Sequence, residues 1–112
     1  MDLKRGGIMP VFAAARVLAL KHRIADRATA ARLEALRGVA GIPQRQVEQV
    51  LESHKIILGI ILNQQLADIA RGKPPSSRVD PKDVTPNDKD RLKWALEHVK
   101  SARDLLGDPP VT

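Results

Sequence analysis

The sequence predicts an all-α fold: an antiparallel four-helix bundle with a long third helix. Three observations predict it. Apolar residues recur at spacings of three and four, and no segment alternates with period two for long enough to make a strand. Aromatics are only 2% of the 112 residues, Phe12 and Trp94 with no tyrosine. The core must therefore come from Ala, Leu, Ile and Val, which suit closely packed helices better than a sandwich of strands. Finally, clusters of Gly and Pro cut the chain into segments of helical length. With 43% hydrophobic and 29% charged residues, the composition is that of a single globular domain.

The elements follow in order. Residues 1–9 read as an entry loop, bracketed by Gly6-Gly7 and Pro10. The first helix starts at Pro10, well placed as a first helical residue, and runs to about His22 with Val11, Ala14, Ala15, Leu18 and Ala19 on one side. A short second helix spans about 29–39, carries Leu33 and Leu36, and takes Thr29 or Asp26 as its cap. The third spans about 43–71 and is roughly 40 Å long at 1.5 Å per residue. Its expected buried stripe is Val47, Val50, Leu51, Ile57, Leu58, Ile61, Leu62, Leu66 and Ile69.

The fourth helix opens on a strong start signal: Thr85 as cap, Pro86 in first position, Asp88 three residues after the cap. Leu92, Ala95, Leu96, Val99, Ala102 and Leu106 form its stripe, Gly107 stops it, and 108–112 form a tail, so the bundle occupies 10–107.

Much chemistry is excluded. The chain has no cysteine, hence no disulfide or thiolate site, which fits a cytoplasmic protein. It lacks phosphate-cradling glycine loops and the His-Glu-x-x-His metal motif, and His22, His54 and His98 fall on different elements without ligand spacing. No Asp-x-Asp pair is present to hold Mg²⁺. Catalytic and metal-binding residues are therefore expected to be none, with no cofactor of the chain's own. No apolar stretch is long enough for a bilayer, and Met1 is followed by charges rather than a signal peptide, so no membrane partner is expected. The formal charge of +6 is spread along the chain, with no aromatic interleaving and no basic run longer than two, so DNA is not expected either.

Three features could carry function. Lys4-Arg5-Gly6-Gly7 sets two cations before two glycines and a helix start. That pattern can make phosphate contact through close backbone approach and helical N–H groups, but taken alone it fits an ordinary charged entry loop better. His54, Ile57, Ile61 and Gln65 share a face of the third helix, and Arg16 and Arg32 could face inward or line a groove. These polar groups either contact a ligand or sit at the stripe's edge, satisfied by neighbouring helices. Last, Arg71-Gly72-Lys73-Pro74-Pro75 and Val79-Asp80-Pro81 form a stiff connection between the two long helices, with Asp83 as a solvated charge.

The segments Asp2-Leu3-Lys4-Arg5-Gly6-Gly7-x-Met9-Pro10, Arg16-x-Leu18-Ala19-Leu20, Thr29-x-x-Arg32-Leu33-x-x-Leu36, Gln65-Leu66, Gly72-x-Pro74-Pro75, Asp80-Pro81 and Arg91-Leu92-Lys93 together resemble the nucleotidyltransferase substrate-binding domain family. The resemblance covers nearly the whole chain in order. It implies the C-terminal helical domain of a bacterial signalling protein, accompanied by cyclic-nucleotide-binding, CBS and nucleotidyltransferase-like domains. It implies a non-catalytic role, with no cofactor in this chain and Mg-nucleotide a candidate ligand of the full-length protein, and it makes residues 1–9 a hinge from an upstream domain. By the same resemblance, Lys4, Arg5, Gly6 and Gly7 contact a nucleotide or an acidic protein substrate, and Arg16, Arg32 and Gln65 line a groove facing the catalytic half. The chain departs from the family pattern at Ser77, where an Asn is common, and at Ile60-Ile61-Leu62-Asn63-Gln64-Gln65, where the family is more basic. The alternative from another class is a purely structural module that docks domains or forms a homodimer through the third helix.

Overall fold

The computed structural model describes residues 2–104. They are helical, with α1 at Met9–Lys21, α2 at Thr29–Ala35, α3 at Gln44–Ala70, α4 at Pro86–Val99 and a single turn, α5, at Ser101–Asp104. The all-α class is as expected. Among the described residues the one β-type pairing is an isolated bridge between Asp2 and Arg78.

The chain start differs from the expected loop. Lys4–Ile8 form a π-helical turn that runs straight into α1. The Met9 N–H donates to the Lys4 carbonyl, so the wide turn uses a donor that a helix beginning at Pro10 would have left open. Gly7 explains the tight seating. It is buried, and a Cβ there would lie 2.9 Å from Ile57 Cδ1 and 3.0 Å from Ile57 Cγ2. Nothing lies within 4 Å of the equivalent point at Gly6. The missing side chain at residue 7 thus brings the turn onto α3.

Helix α1 buries Val11, Ala14, Ala15, Leu18 and Ala19, the predicted face. It packs on α2, on α5 and on the π turn, and that turn in turn contacts α3. Helix α2 is shorter than expected. After Ala35 the turns tighten to i→i+3 bonds, Leu36 N–H to Leu33 O and Arg37 N–H to Glu34 O, and Gly38 leaves the helix at φ +81°. Its N-cap is Ala28, with no side-chain cap bond, so neither Thr29 nor Asp26 caps it.

Helix α3 spans 27 residues and dominates the 47 Å long axis of the molecule. Its buried residues form two rows rather than one stripe. Val47, Val50, Leu51, His54, Ile57 and Ile61 lie on the side of the π turn. Ser53, Ile56, Ile60, Gln64 and Asp68, at spacings of three and four, turn toward α4 and the connection before it. The expected stripe is corrected on its C-terminal half: Leu58, Leu62, Leu66 and Ile69 are 39%, 49%, 66% and 59% exposed. Apolarity along a helix does not say where the covering helices end, and α3 outruns them on that side.

Helix α4 starts as predicted, with the Thr85 hydroxyl accepting from the Asp88 N–H at 3.2 Å and Pro86 in the first turn. Leu92, Ala95, Val99 and Ala102 are buried. The helix pauses at Lys100, which keeps helical dihedrals of −59° and −27°, and resumes as α5. Leu106, the Gly107 stop and the 108–112 tail lie outside the described residues.

The close seating of Gly7 generates a paired expectation. Gly7→Ala should lose about 1–3 kcal/mol of stability through overpacking against Ile57. Gly6→Ala should be neutral or slightly stabilising in the same urea titration, since it adds helix propensity in open space. Equal losses at both positions would contradict the packing role of Gly7.

Candidate functional site

A polar cleft lies where α3 ends and the connection to α4 folds back. Gly72, at φ +73°, closes the helix: its N–H donates to Ile69 O at 3.0 Å, and the Lys73 N–H donates to Asp68 O at 2.8 Å. These two bonds make a Schellman motif, for which glycine is the favoured residue. The reversal carries Pro74, Pro75 and Ser76 back along the last turns of α3.

Two buried side chains on α3 receive them. The Asp68 carboxylate accepts from Gln64 Nε2 at 2.9 Å and from the Ser76 N–H at 3.2 Å. Gln64 Oε1 accepts from the Asp80 N–H at 3.4 Å. Asp80 then caps a single 3₁₀ turn, Pro81–Asp83, by accepting from the Lys82 N–H at 3.0 Å. The i, i+4 pair on α3 thus satisfies backbone donors of a segment that has no helix of its own to satisfy them.

Around this latch is a cleft of about 580 Å³ lined by Arg71, Lys73, Arg78, Asp80, Asp83 and their neighbours. Its signs are mixed. Arg71 grips Asp83 with both terminal nitrogens, at 3.2 and 3.5 Å. That pairing holds the Asp83 carboxyl below, and the Arg71 guanidinium above, their ordinary values, mainly through the shared hydrogen bond. Asp83 is exposed, as expected, and is also tied to the helix end by this pair. Among the described residues no three His, Asp or Glu side chains are grouped so as to hold a metal ion.

The residues singled out from the sequence lie elsewhere. Lys4 and Arg5 are exposed on the π turn. The N–H groups beside them are in use: Arg5 donates to Asp2 Oδ1 and Gly6 to Asp2 O, each at 3.3 Å. Arg16 is exposed on α1. Arg32 is half-buried, its Nε donating to the Asp26 carbonyl at 2.8 Å. Gln65 is half-buried, whereas the buried glutamine of the pair is Gln64. Periodicity could not separate the two, because Gln64 is buried through bonds to Asp68 and Asp80 rather than through an apolar stripe.

His54 is also buried, and its Nδ1 has no hydrogen-bond partner. It is not an edge residue satisfied by a neighbouring helix. Burial pushes the imidazole below its ordinary value of 6.5.

Residues 1–108 match the family described as a putative nucleotidyltransferase substrate binding domain. The chain belongs to this family. No curated protein and no solved structure matches the chain closely enough to count as a relative. The family is named for binding substrate rather than for catalysis, and its name implies association with a nucleotidyltransferase domain. No described helix is long and apolar enough to cross a membrane.

Two measurements test this architecture. Asp68→Ala should cost about 2–3 kcal/mol in chemical denaturation, because it strands Gln64 Nε2 and the Ser76 N–H at once; a loss no larger than that of an exposed Asp90→Ala control would remove the latch. The second concerns acid. A histidine held below 6.5 binds its proton more readily in the unfolded chain, so its contribution is intact above 6.5 and erodes as the pH falls below it. Melting curves from about pH 7 down to about pH 5 should therefore shift less in His54→Leu than in the parent chain. Identical shifts would place the acid sensitivity elsewhere.

Proposed function

We propose that this chain is the non-catalytic, substrate-side domain of a nucleotidyltransferase-like bacterial signalling protein. In this reading α1 to α4 form an antiparallel bundle packed beside a catalytic α/β domain in the cytoplasm, in a protein that also carries cyclic-nucleotide-binding and CBS domains. The observation that carries the proposal is the family match over residues 1–108. In this reading the chemistry and its Mg²⁺ belong to carboxylates of the catalytic domain.

Lys4 and Arg5 are the cations this reading assigns to an anionic substrate, and both are exposed on the π turn. Their side chains would draw in nucleotide phosphates or an acidic protein substrate, and Gly6, open on its outer side, leaves the approach clear. The backbone N–H groups of Arg5 and Gly6 are bonded to Asp2, so the attraction rests on the side chains alone. Arg16, Arg32 and Gln65 would border the groove between the two domains, and Gly7 would serve it by seating the turn.

Two exposed cations interact weakly through water, so removing them should have a modest effect. Mg-ATP or Mg-UTP titrated into a protein carrying both domains should bind roughly threefold to tenfold more weakly in the Lys4→Ala/Arg5→Ala double variant. Equal affinity would remove these residues from the substrate side.

A second reading, a structural module that forms a homodimer without a small-molecule ligand, is favoured by one observation: the exposed row Leu58, Leu62, Leu66 and Ile69 on α3. Sedimentation across a dilution series should then show a dimer that Leu62→Asp dissociates. A monomer at every concentration would dismiss it.

A further inference from the structure

Helix α1 is apolar on both sides. One side, Val11, Ala14, Ala15, Leu18 and Ala19, is in the core. The other presents Met9, Phe12, Ala13, Arg16, Val17 and Leu20, all exposed, at the 3–4 spacing of a single helix face. Val17 is 51% and Leu20 73% exposed. Within α1 the only charged side chains are Arg16 and the terminal Lys21. A helix that is hydrophobic all round is one that is covered all round. Aromatic, Met and Arg side chains together are also the composition enriched at the centres of protein interfaces.

The charges around this face say what covers it. Lys4 and Arg5 lie at its N-terminal end, Arg16 in its middle, Lys21 and Arg23 at its C-terminal end, and residues 3–25 contain no Asp or Glu. A second copy placed face to face would set cations against cations with no acid between them. A lipid surface would take the apolar side chains but would bury Arg16 among them, whereas helices that lie on membranes keep their cations on the polar edge. A carboxylate on a partner helix can pair with that guanidinium directly, and helices pack along one another by ridges and grooves.

We propose that the outer face of α1 docks an acidic amphipathic helix of another protein or domain. The partner helix lays an apolar row about three turns long over Met9 to Leu20, roughly 17 Å at 1.5 Å per residue. It carries a carboxylate opposite Arg16 and further acids at both ends. This goes beyond the nucleotide reading: it shares Arg16 with the groove proposed there, but it involves no phosphate and is read out by peptide binding rather than by nucleotide affinity.

The full chain is titrated by calorimetry with three probes: a synthetic helical peptide with a leucine face flanked by Glu, the same peptide flanked by Lys, and vesicles of mixed phosphatidylcholine and phosphatidylglycerol. The Glu peptide should bind, the Lys peptide should not, and both Arg16→Glu and Leu20→Asp should weaken binding roughly tenfold or more. Both positions are exposed, so the variants should melt with the parent, which separates lost docking from lost folding. Indifference of the Glu peptide to Arg16→Glu would overturn the proposal. So would equal binding of the two peptides, or binding of the vesicles alone. Self-association abolished by Leu20→Asp would overturn it in favour of a second copy.

Discussion

Much of this molecule hangs on one buried carboxylate. Asp68 sits on the inner side of α3 near its end and bonds the backbone of Ser76. The next residue, Ser77, uses its carbonyl to accept the Leu3 N–H at 3.3 Å. Leu3 is buried, and the π turn that follows it rests against Ile57 through Gly7. A chain of contacts therefore runs from the end of α3, through the proline-rich connection, to the start of α1. An ionised group in such a place is costly unless its oxygens are occupied. Here each oxygen has a donor, one from Gln64 and one from Ser76.

This dependence explains which parts of the fold could be read from the sequence. The bounds of α3 and the start of α4 were legible because their signals are local: Pro43 before the long run, Gly72 after it, Thr85 and Asp88 around Pro86. The inner face of α1 was legible because its period and its burial coincide. The role of Asp68 was not, because its partner Ser76 lies beyond a reversal that no periodicity encodes. The Gly6-Gly7 pair misled for a related reason. Two glycines suggest a flexible loop, and only the position of Ile57, fifty residues on, shows that one of them is a packing surface. The candidate site was less legible than the fold: Gln65 matched a motif, yet its neighbour Gln64 is the side chain held in place by specific bonds.

The electrostatics divide into two kinds. Arg37 with Glu34, Arg91 with Asp88 and Arg71 with Asp83 are exposed or half-exposed pairs, and such pairs contribute little to stability in water. The Arg71–Asp83 pair matters more for geometry, because it sets the 3₁₀ turn against the end of α3. The remaining positive charge is unevenly placed. It gathers over residues 3–25, which contain no Asp or Glu, and that region also leaves an apolar helix face uncovered. The family to which the chain belongs is named for binding substrate, and this end of the molecule brings charge and apolar surface together.

The near absence of aromatic residues has a last consequence. Trp94 is the only indole, half-buried on α4 and stacked on the His98 ring at a centroid distance of 4.2 Å. With no tyrosine in the chain, emission excited at wavelengths beyond the phenylalanine band comes from this one place. The light reports the seam between α3 and α4, where Trp94 shares a hollow with Ile56 and Glu52, and stays dark to events on α1. A fluorescence trace of unfolding would therefore follow one half of the molecule, and any difference from a trace of total helicity would measure how independently the α1 half lets go.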